Sequence, residues 1–178
     1  MYFHDRTDAG RQLAKALAHY KDWPDAIVLA LPRGGVPVAF EVAQALGLPL
    51  DLMLVRKLGL PEHEELAMGA IANGNIQVLN EDVVRRLNIP ESVIAQVAKA
   101  EHAELERRNK AYRQGNPPPR LEGKTVILVD DGCATGSNMQ AAVQAVAKQH
   151  AGRIVVAVPV ASDSAYEMLR EIADDVIC

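Results

Sequence analysis

Two adjacent carboxylates, Asp130 and Asp131, follow the apolar run Thr125–Val129 and precede a turn of small residues at positions 132–137. Good helix formers come next, so the pattern predicts a buried strand, a turn and a helix. In that arrangement the backbone N–H groups of the turn and the helix N-terminus favour an anionic phosphate. Ionised carboxylates only accept hydrogen bonds, and each sugar hydroxyl can donate one. The stretch therefore predicts a site for a ribose 5-phosphate, with a divalent metal that lowers the repulsion between the acids and the ligand.

A glycine-rich turn, Arg33-Gly34-Gly35, follows the first predicted strand at residues 26–31. An ordinary strand-to-helix turn is the usual interpretation of a Gly-Gly pair. In a doubly wound sheet, however, ligands bind at the carboxyl ends of the strands, so this turn and the aspartate turn are expected to face one crevice. The two glycines would let backbone N–H groups approach a diphosphate, and Arg33 would neutralise it.

Arg56 and Lys57 follow a predicted strand at residues 49–55 and precede a polar segment, 61–66, that is predicted to be a loop. Solvated surface is the usual interpretation of such a pair of cations. Their expected position beside an anionic ligand favours a functional interpretation, with Lys57 as a second contact to the diphosphate. His63 is either an acid in a lid or, more simply, a solvated loop residue.

Residues 126–138 resemble the phosphoribosyl diphosphate (PRPP) signature of the type I phosphoribosyltransferases. In that family two acidic residues hold the ribose 2- and 3-hydroxyls, and the following loop wraps the 5-phosphate. The resemblance implies that Asp130 and Asp131 are catalytic and contact Mg2+, indirectly through the ligand and water. It also implies a phosphate-binding loop made of Gly132, Cys133, Ala134, Thr135, Gly136 and Ser137.

The same resemblance covers the two cationic segments. The pyrophosphate loop of the family falls at Arg33, Gly34 and Gly35. Arg56 and Lys57 match, by position, a mobile loop that closes over the diphosphate, and Lys57 is assigned a catalytic role. Such a lid would exclude water from an oxocarbenium-like centre and so prevent hydrolysis of PRPP.

The resemblance covers nearly the whole chain and implies an α/β fold with a doubly wound, mainly parallel sheet, flanking helices and a small hairpin or lid insertion. More narrowly, the chain is similar to a group of bacterial phosphoribosyltransferases whose acceptor is not settled. The implied activity is that of a pentosyltransferase: with Mg2+, the phosphoribosyl group passes from PRPP to a nitrogenous small molecule and diphosphate leaves. Family members usually continue beyond the final strand with residues that cover the acceptor. Here that strand ends at Cys178, and residues 2–6 carry no readable acceptor code.

Hydrophobic spacing and breakers predict the remaining elements. The Asn73-Gly74 pair between two apolar runs predicts a hairpin over residues 67–79, and three prolines at 117–119 predict a surface connector. Helices are predicted at 7–20, capped by Thr7, and at 38–46, 82–87, 91–113, 139–147 and 164–172, with further strands at 153–159 and 174–178.

The composition of the 178 residues, 49% hydrophobic and 24% charged, predicts one domain spanning residues 1–178. A formal net charge of -4 and the absence of a basic run with interleaved aromatics argue against a nucleic-acid surface. No apolar run suits a membrane span or a signal peptide, so a cytoplasmic location is expected. Two cysteines give no disulfide framework. A homodimer is the common arrangement for a symmetric enzyme.

Other interpretations of these residues are either open or excluded. A regulatory protein that senses PRPP or a nucleotide without catalysis would have the same pocket. Cys133 would be either a nucleophile, because helix N-termini lower thiol pKa values, or a small loop filler. A Walker phosphate loop is excluded because the Gly-Lys-Ser/Thr order is missing.

Overall fold

Outside residues 49–66, the secondary structure follows the predicted order of strands and helices. The computed structural model describes the backbone of residues 2–178 and all of their side chains except that of Glu65. In chain order the elements are α1 (Arg6–Ala16), a 3-10 turn (Ala18–Tyr20), β1 (Ala26–Ala30), α2 (Gly35–Leu46), β2 (Leu50–Leu52), β3 (Val55–Leu60), β4 (His63–Ala72), β5 (Ile76–Leu79), α3 (Glu81–Arg86), α4 (Glu91–Arg113), β6 (Thr125–Val129), α5 (Ser137–Lys148), β7 (Arg153–Ala157), α6 (Asp163–Ile172) and β8 (Asp175–Ile177).

The described residues form two compact units. The first contains residues 2–53 and Arg120–Cys178, and the second contains Leu54–Pro119. The predicted connector at residues 117–119 has neither helix nor strand and carries the chain from the second unit back to the first.

A five-stranded parallel sheet forms the centre of the first unit, in the order β2-β1-β6-β7-β8. Strands β1, β6 and β7 consist almost entirely of buried apolar or β-branched residues, as expected where helices cover a parallel sheet. Leu13, Leu17, Val38, Val42 and Ile127 are among the core residues that join the helices to the sheet. The predicted fold class, an α/β fold with a mainly parallel sheet flanked by helices, is confirmed, and the predicted hairpin insertion is part of an additional antiparallel sheet.

Helices α1 and α2 approach each other closely in the first unit. A β-carbon at Gly10 would lie 2.8 Å from both the Val38 carbonyl oxygen and the Glu41 Cβ, so only glycine permits this spacing. Helix α1 is capped by Asp5 rather than by the predicted Thr7: the Asp5 carboxylate accepts a 2.8 Å hydrogen bond from the Asp8 N–H. The chain leaves the helix after Ala16, before the predicted end, and continues in the 3-10 turn.

The second unit contains a three-stranded antiparallel sheet, β3-β4-β5, with helices α3 and α4. The hairpin predicted at Asn73-Gly74 is confirmed: Ala72 pairs with Ile76. The loop between them has three residues, with positive φ angles at Gly74 and Asn75. Buried residues on β3, β4 and α4, among them Leu58, Met68 and Ile94, form the core of this unit.

Two predictions for residues 49–66 are wrong. The strand predicted at 49–55 ends at Leu52, and β3 belongs to a different sheet. Arg56 and Lys57 lie within β3, and most of the predicted loop at 61–66 belongs to β4. The charged residues misled the prediction because an antiparallel strand can carry polar side chains on its solvated face, here around the buried Leu58. Irregular register at Gly59 further obscures the alternation.

None of the helices within residues 2–178 is both long enough and apolar enough to cross a membrane.

Candidate active site

Asp130 and Asp131 stand at the carboxyl end of β6, in the centre of the parallel sheet. Both are partly buried. The backbone N–H of Asp131 donates a 2.8 Å hydrogen bond to Oδ1 of Asp130, which fixes the first carboxyl group against the chain. Oδ2 of Asp131 accepts a 2.9 Å hydrogen bond from Nε of Arg6 and forms an ion pair with its Nη2, also at 2.9 Å. The two neighbouring acids therefore have different partners.

The Arg33-Gly34-Gly35 turn lies directly against these aspartates. Leu31 extends the pairing of β1 with β6, because its N–H donates to the Val129 carbonyl at 2.9 Å. A β-carbon at Gly35 would lie 2.7 Å from that carbonyl oxygen and 3.0 Å from the Asp130 Cα. One at Gly34 would overlap the Asp131 carboxylate. The expected convergence of the two turns is thus present in the fold.

Helix α2 begins at Gly35, the last residue of the turn. The Gly35 N–H donates to the Leu31 carbonyl at 3.1 Å and the Val36 N–H to the Arg33 carbonyl at 3.1 Å. The peptide bond between Pro32 and Arg33 is cis. The Arg33 side chain is exposed, and it forms no hydrogen bond or ion pair with residues 2–178. Its guanidinium group is thus available to an anion.

The small-residue loop after the aspartates is anchored to the segment that follows β7. Cys133 donates its N–H to the Val160 carbonyl and accepts from the Ser162 N–H, both at 3.0 Å. The Ser162 hydroxyl also donates to the Ala134 carbonyl at 2.6 Å. These contacts hold residues 133 and 134 in place, so the loop enters α5 in one direction.

The N-terminus of α5 closes the loop. Gly136 is buried with a φ of +79°, a conformation that favours glycine, and provides no side-chain cap. Thr135 Oγ1 lies 3.1 Å from Ser137 Oγ and 3.4 Å from the Ser137 N–H nitrogen. The first turn of α5 consequently presents N–H donors and two hydroxyls without a carboxylate cap, an arrangement suited to a phosphate.

The pKa of Asp130 is raised to about 7, chiefly by burial; the Asp131 N–H acts in the opposite direction, and the Asp131 carboxyl adds to the rise through a hydrogen bond and charge repulsion. The pKa of the Cys133 thiol is also raised, first by burial and then by the charge of Asp130. A raised pKa disfavours the thiolate, so the loop-filler interpretation of Cys133 is favoured over the nucleophile.

The comparison with protein families gives the identification. The model of the phosphoribosyl transferase domain matches residues 3–178. The chain belongs to the phosphoribosyl transferase family.

Individual relatives of this phosphoribosyl transferase family member agree with that match. A protein of Mycobacterium tuberculosis that bears a provisional phosphoribosyl transferase name is 45% identical over 176 residues, which is 99% of this chain. The chain spans only 40% of the length of that relative.

Solved structures show the same fold. A crystal structure of a Thermus thermophilus protein has 44% identity and a TM-score of 0.88, covering 99% of this chain and 84% of the other. The purine phosphoribosyltransferase of Pyrococcus horikoshii has 21% identity and a TM-score of 0.53, covering 97% of this chain and 80% of the other, and shows likeness of fold.

Arg56 and Lys57 belong to the second unit of this family member. Arg56 forms an ion pair with Glu101 of α4. Lys57 is exposed on β3, opposite Ala70, and forms no ion pair within residues 2–178. Their assignment to the diphosphate, and that of Lys57 to catalysis, stay predictions from the resemblance.

Two residues at this site were not identified from the sequence. Arg6 lies in the N-terminal segment that carried no readable code, and its contact with Asp131 joins residues 125 positions apart. Ser162 has a local signal as the N-cap of α6, since it accepts from the Ala165 N–H at 3.1 Å. Its second contact, with Ala134, has no signal in the sequence.

Proposed function

We propose that this chain is a phosphoribosyltransferase that binds PRPP with Mg2+ and transfers the phosphoribosyl group to a nitrogenous small-molecule acceptor, with release of diphosphate. The observation that carries the proposal is the packing of the Gly34-Gly35 turn against Asp130 and Asp131. This packing places the glycine turn, which suits a diphosphate, in the same crevice as the two carboxylates, which suit sugar hydroxyls.

Each part of PRPP has a matching group in the first unit. Asp130 and Asp131 would accept hydrogen bonds from the ribose hydroxyls. The loop of Gly132, Cys133, Ala134, Thr135, Gly136 and Ser137, with the N-terminus of α5, would bind the 5-phosphate. Arg33 and the Gly34-Gly35 backbone would bind the diphosphate, since the absence of side chains permits a close approach. The N–H of Gly34 would be the donor, because that of Gly35 donates to the Leu31 carbonyl.

Asp130 and Asp131 suit an Mg2+ ion that is also bound by the ligand, but not one held by protein side chains alone. Within residues 2–178, no group of three or more histidine, cysteine, aspartate or glutamate side chains could hold a metal. Mg2+ usually binds to one or two carboxylates together with substrate phosphates and water, and Asp130 and Asp131 fit this donor set. When bound with PRPP, the ion would neutralise the charge of the leaving diphosphate.

In the reaction, the bond between the anomeric carbon and the diphosphate oxygen breaks, and its electron pair leaves with the diphosphate. The nitrogen lone pair of the acceptor forms the new C–N bond, and the acceptor nitrogen then loses its proton to solvent or a base. Positive charge develops on the ribose ring meanwhile. Two carboxyl groups beside that ring would stabilise the charge, and they would also fix the ring for attack.

Binding and turnover of PRPP test the proposal. We expect isothermal titration with Mg2+ and PRPP to show binding, and labelled PRPP to release diphosphate with one member of a panel of nitrogenous bases. The double variant D130N/D131N should bind PRPP at least about tenfold more weakly, because neutral amides replace ionised acceptors.

A matched control is the double variant D22N/D25N. It removes the same two charges from exposed positions on the amino-end side of the sheet, where Asp25 precedes β1. We expect PRPP binding unchanged by this control. Absence of PRPP binding, or equal binding by D130N/D131N, would overturn the proposal. Binding without transfer to any base would favour the sensing protein over the transferase.

A further inference from the structure

Arg6 reaches the site because the fold fixes the start of α1. The Asp5 carboxylate caps the Asp8 N–H, and the His4 N–H donates to Asp8 Oδ2 at 3.1 Å, so this end of the helix is held from two directions. The close contact at Gly10 sets α1 against α2. Because α1 packs against α2, and α2 begins beside Asp130, the first residue of α1, Arg6, lies at the aspartate turn.

Arg6 is an unfavourable residue for its position in the helix. A cation in the first turn of a helix opposes the helix dipole, which favours acids there. Helix formation therefore does not explain an arginine at this position. The contact that does explain it is the one with Asp131, whose Oδ2 accepts a hydrogen bond from Nε of Arg6 and forms an ion pair with its Nη2.

The Asp131 carboxylate is fixed from two sides. Gly34 lies against it with no room for a side chain between them, and Arg6 holds its Oδ2. The corresponding support for Asp130 is the Asp131 N–H on its Oδ1. Within residues 2–178, no further N–H donor reaches the other oxygen of either carboxyl group. One oxygen on each acid thus remains to accept one of two neighbouring hydroxyls.

We propose that Arg6 is a positioning residue for the sugar: it holds Oδ2 of Asp131 so that Oδ1 accepts a ribose hydroxyl. This inference rests on the proposed function. Because Arg6 acts through Asp131, its loss should weaken the binding of ligands that contain the ribose and have little effect on the binding of diphosphate alone.

The test compares two probes, PRPP with Mg2+ and diphosphate with Mg2+, by isothermal titration. We expect R6Q to weaken PRPP binding by about tenfold, the effect of losing a charge-assisted hydrogen bond. Diphosphate binding should change by less than about twofold, and R6K should restore part of the PRPP affinity because lysine keeps the charge with a single point contact.

R11Q is the matched control. Arg11 lies on the same helix and pairs with Glu41 at 3.2 Å, so its loss removes an equivalent ion pair away from the aspartates. Thermal melts of R6Q and R11Q should agree, while PRPP binding should weaken in R6Q alone. The double variant R6Q/D131N should bind PRPP no more weakly than D131N, because Arg6 acts through that carboxylate.

Several outcomes overturn the inference. One is PRPP binding by R6Q at the wild-type level. Another is an equal loss of PRPP and diphosphate, which would mean that Arg6 acts as a general positive charge. Additive losses in the double variant would show that Arg6 acts independently of Asp131. Wild-type protein that binds no PRPP would instead overturn the proposed function, and this inference with it.

Discussion

Gly35 packs against the backbone of Asp130, with no space for a side chain between them. The 2.7 Å and 3.0 Å distances that a β-carbon at Gly35 would have to the Val129 oxygen and the Asp130 Cα involve main-chain atoms, which cannot rotate away. The position of the aspartate turn therefore depends on a glycine nearly a hundred residues earlier in the chain.

We expect G35A to lower the free energy of unfolding by about 1–3 kcal/mol, the usual effect of forcing extra volume into a packed site. Urea denaturation measures this change. G132A is the control for stability, because a β-carbon there would meet the Val160 Cγ2 at 3.3 Å, where the side chain can adjust, and the Val160 carbonyl oxygen at an ordinary contact distance of 3.9 Å. Equal stability losses in the two variants would contradict the close contact at Gly35.

The raised pKa of Asp130 makes a prediction about stability and pH. The pKa is about 7 in the folded protein against an ordinary value of 3.8, so the folded state holds this proton more tightly. The contribution of the Asp130 carboxyl to the free energy of unfolding is fully present below about pH 4 and is lost as pH rises through 7.

D130N should therefore be more stable than wild type at pH 8, by about 1–2 kcal/mol, which is less than the full linkage value because the carboxyl is partly exposed. The difference should shrink toward pH 4. Urea unfolding of both proteins at several pH values measures it. A difference that does not change with pH would show that Asp130 titrates normally.

The same group should make PRPP binding depend on pH, if the proposed function holds. An ionised carboxylate accepts hydrogen bonds from sugar hydroxyls more strongly than a neutral one, so binding favours the deprotonated form of Asp130. With a pKa of about 7, we expect affinity about tenfold weaker at pH 6 than at pH 8. Titration in two buffers of different ionisation enthalpy should also show proton release near pH 7. In D130N this dependence should disappear, and its persistence would assign it to the ligand or another residue.

Ser162 should matter both for α6 and for the phosphate loop. S162A removes the cap on the Ala165 N–H and the hydrogen bond to the Ala134 carbonyl. We expect a loss of about 1 kcal/mol in stability and weaker binding of ribose 5-phosphate. The control is S164A, whose hydroxyl lies 3.2 Å from Ser162 Oγ without contacting the loop. Unchanged phosphate binding in S162A would show that the loop keeps its shape without this anchor.

The two cysteines should differ in reactivity. Cys133 is buried with a raised pKa, whereas Cys178 is exposed. Iodoacetamide at pH 7.5 should label Cys178 at least about tenfold faster, because the thiolate is the nucleophile. Mass spectrometry of the labelled peptides, with C178S as the control, measures both rates. Comparable labelling of Cys133 in the folded protein would revive its interpretation as a reactive thiol.

Part of the candidate site could be predicted from local sequence patterns. Apolar runs without alternation predicted the buried strands, and β6 was found at its observed bounds. Asn73-Gly74 predicted its hairpin because an Asn-Gly pair between two apolar runs favours a tight turn. By contrast, Arg56 and Lys57 were assigned to a loop, since two adjacent charges and a nearby glycine do not distinguish a solvated strand from a loop.

The sequence by itself determined which segments are buried, where the chain turns, and that carboxylates, glycines and hydroxyls stand at strand ends, because these depend on neighbouring residues. Only the tertiary structure decided that Gly34 meets Asp131, that Arg6 holds the same carboxylate, and that Ser162 supports the loop at Ala134. Each of these contacts joins residues far apart in the chain. They follow from the order of the strands and the packing of α1 on α2, which no short stretch of sequence encodes.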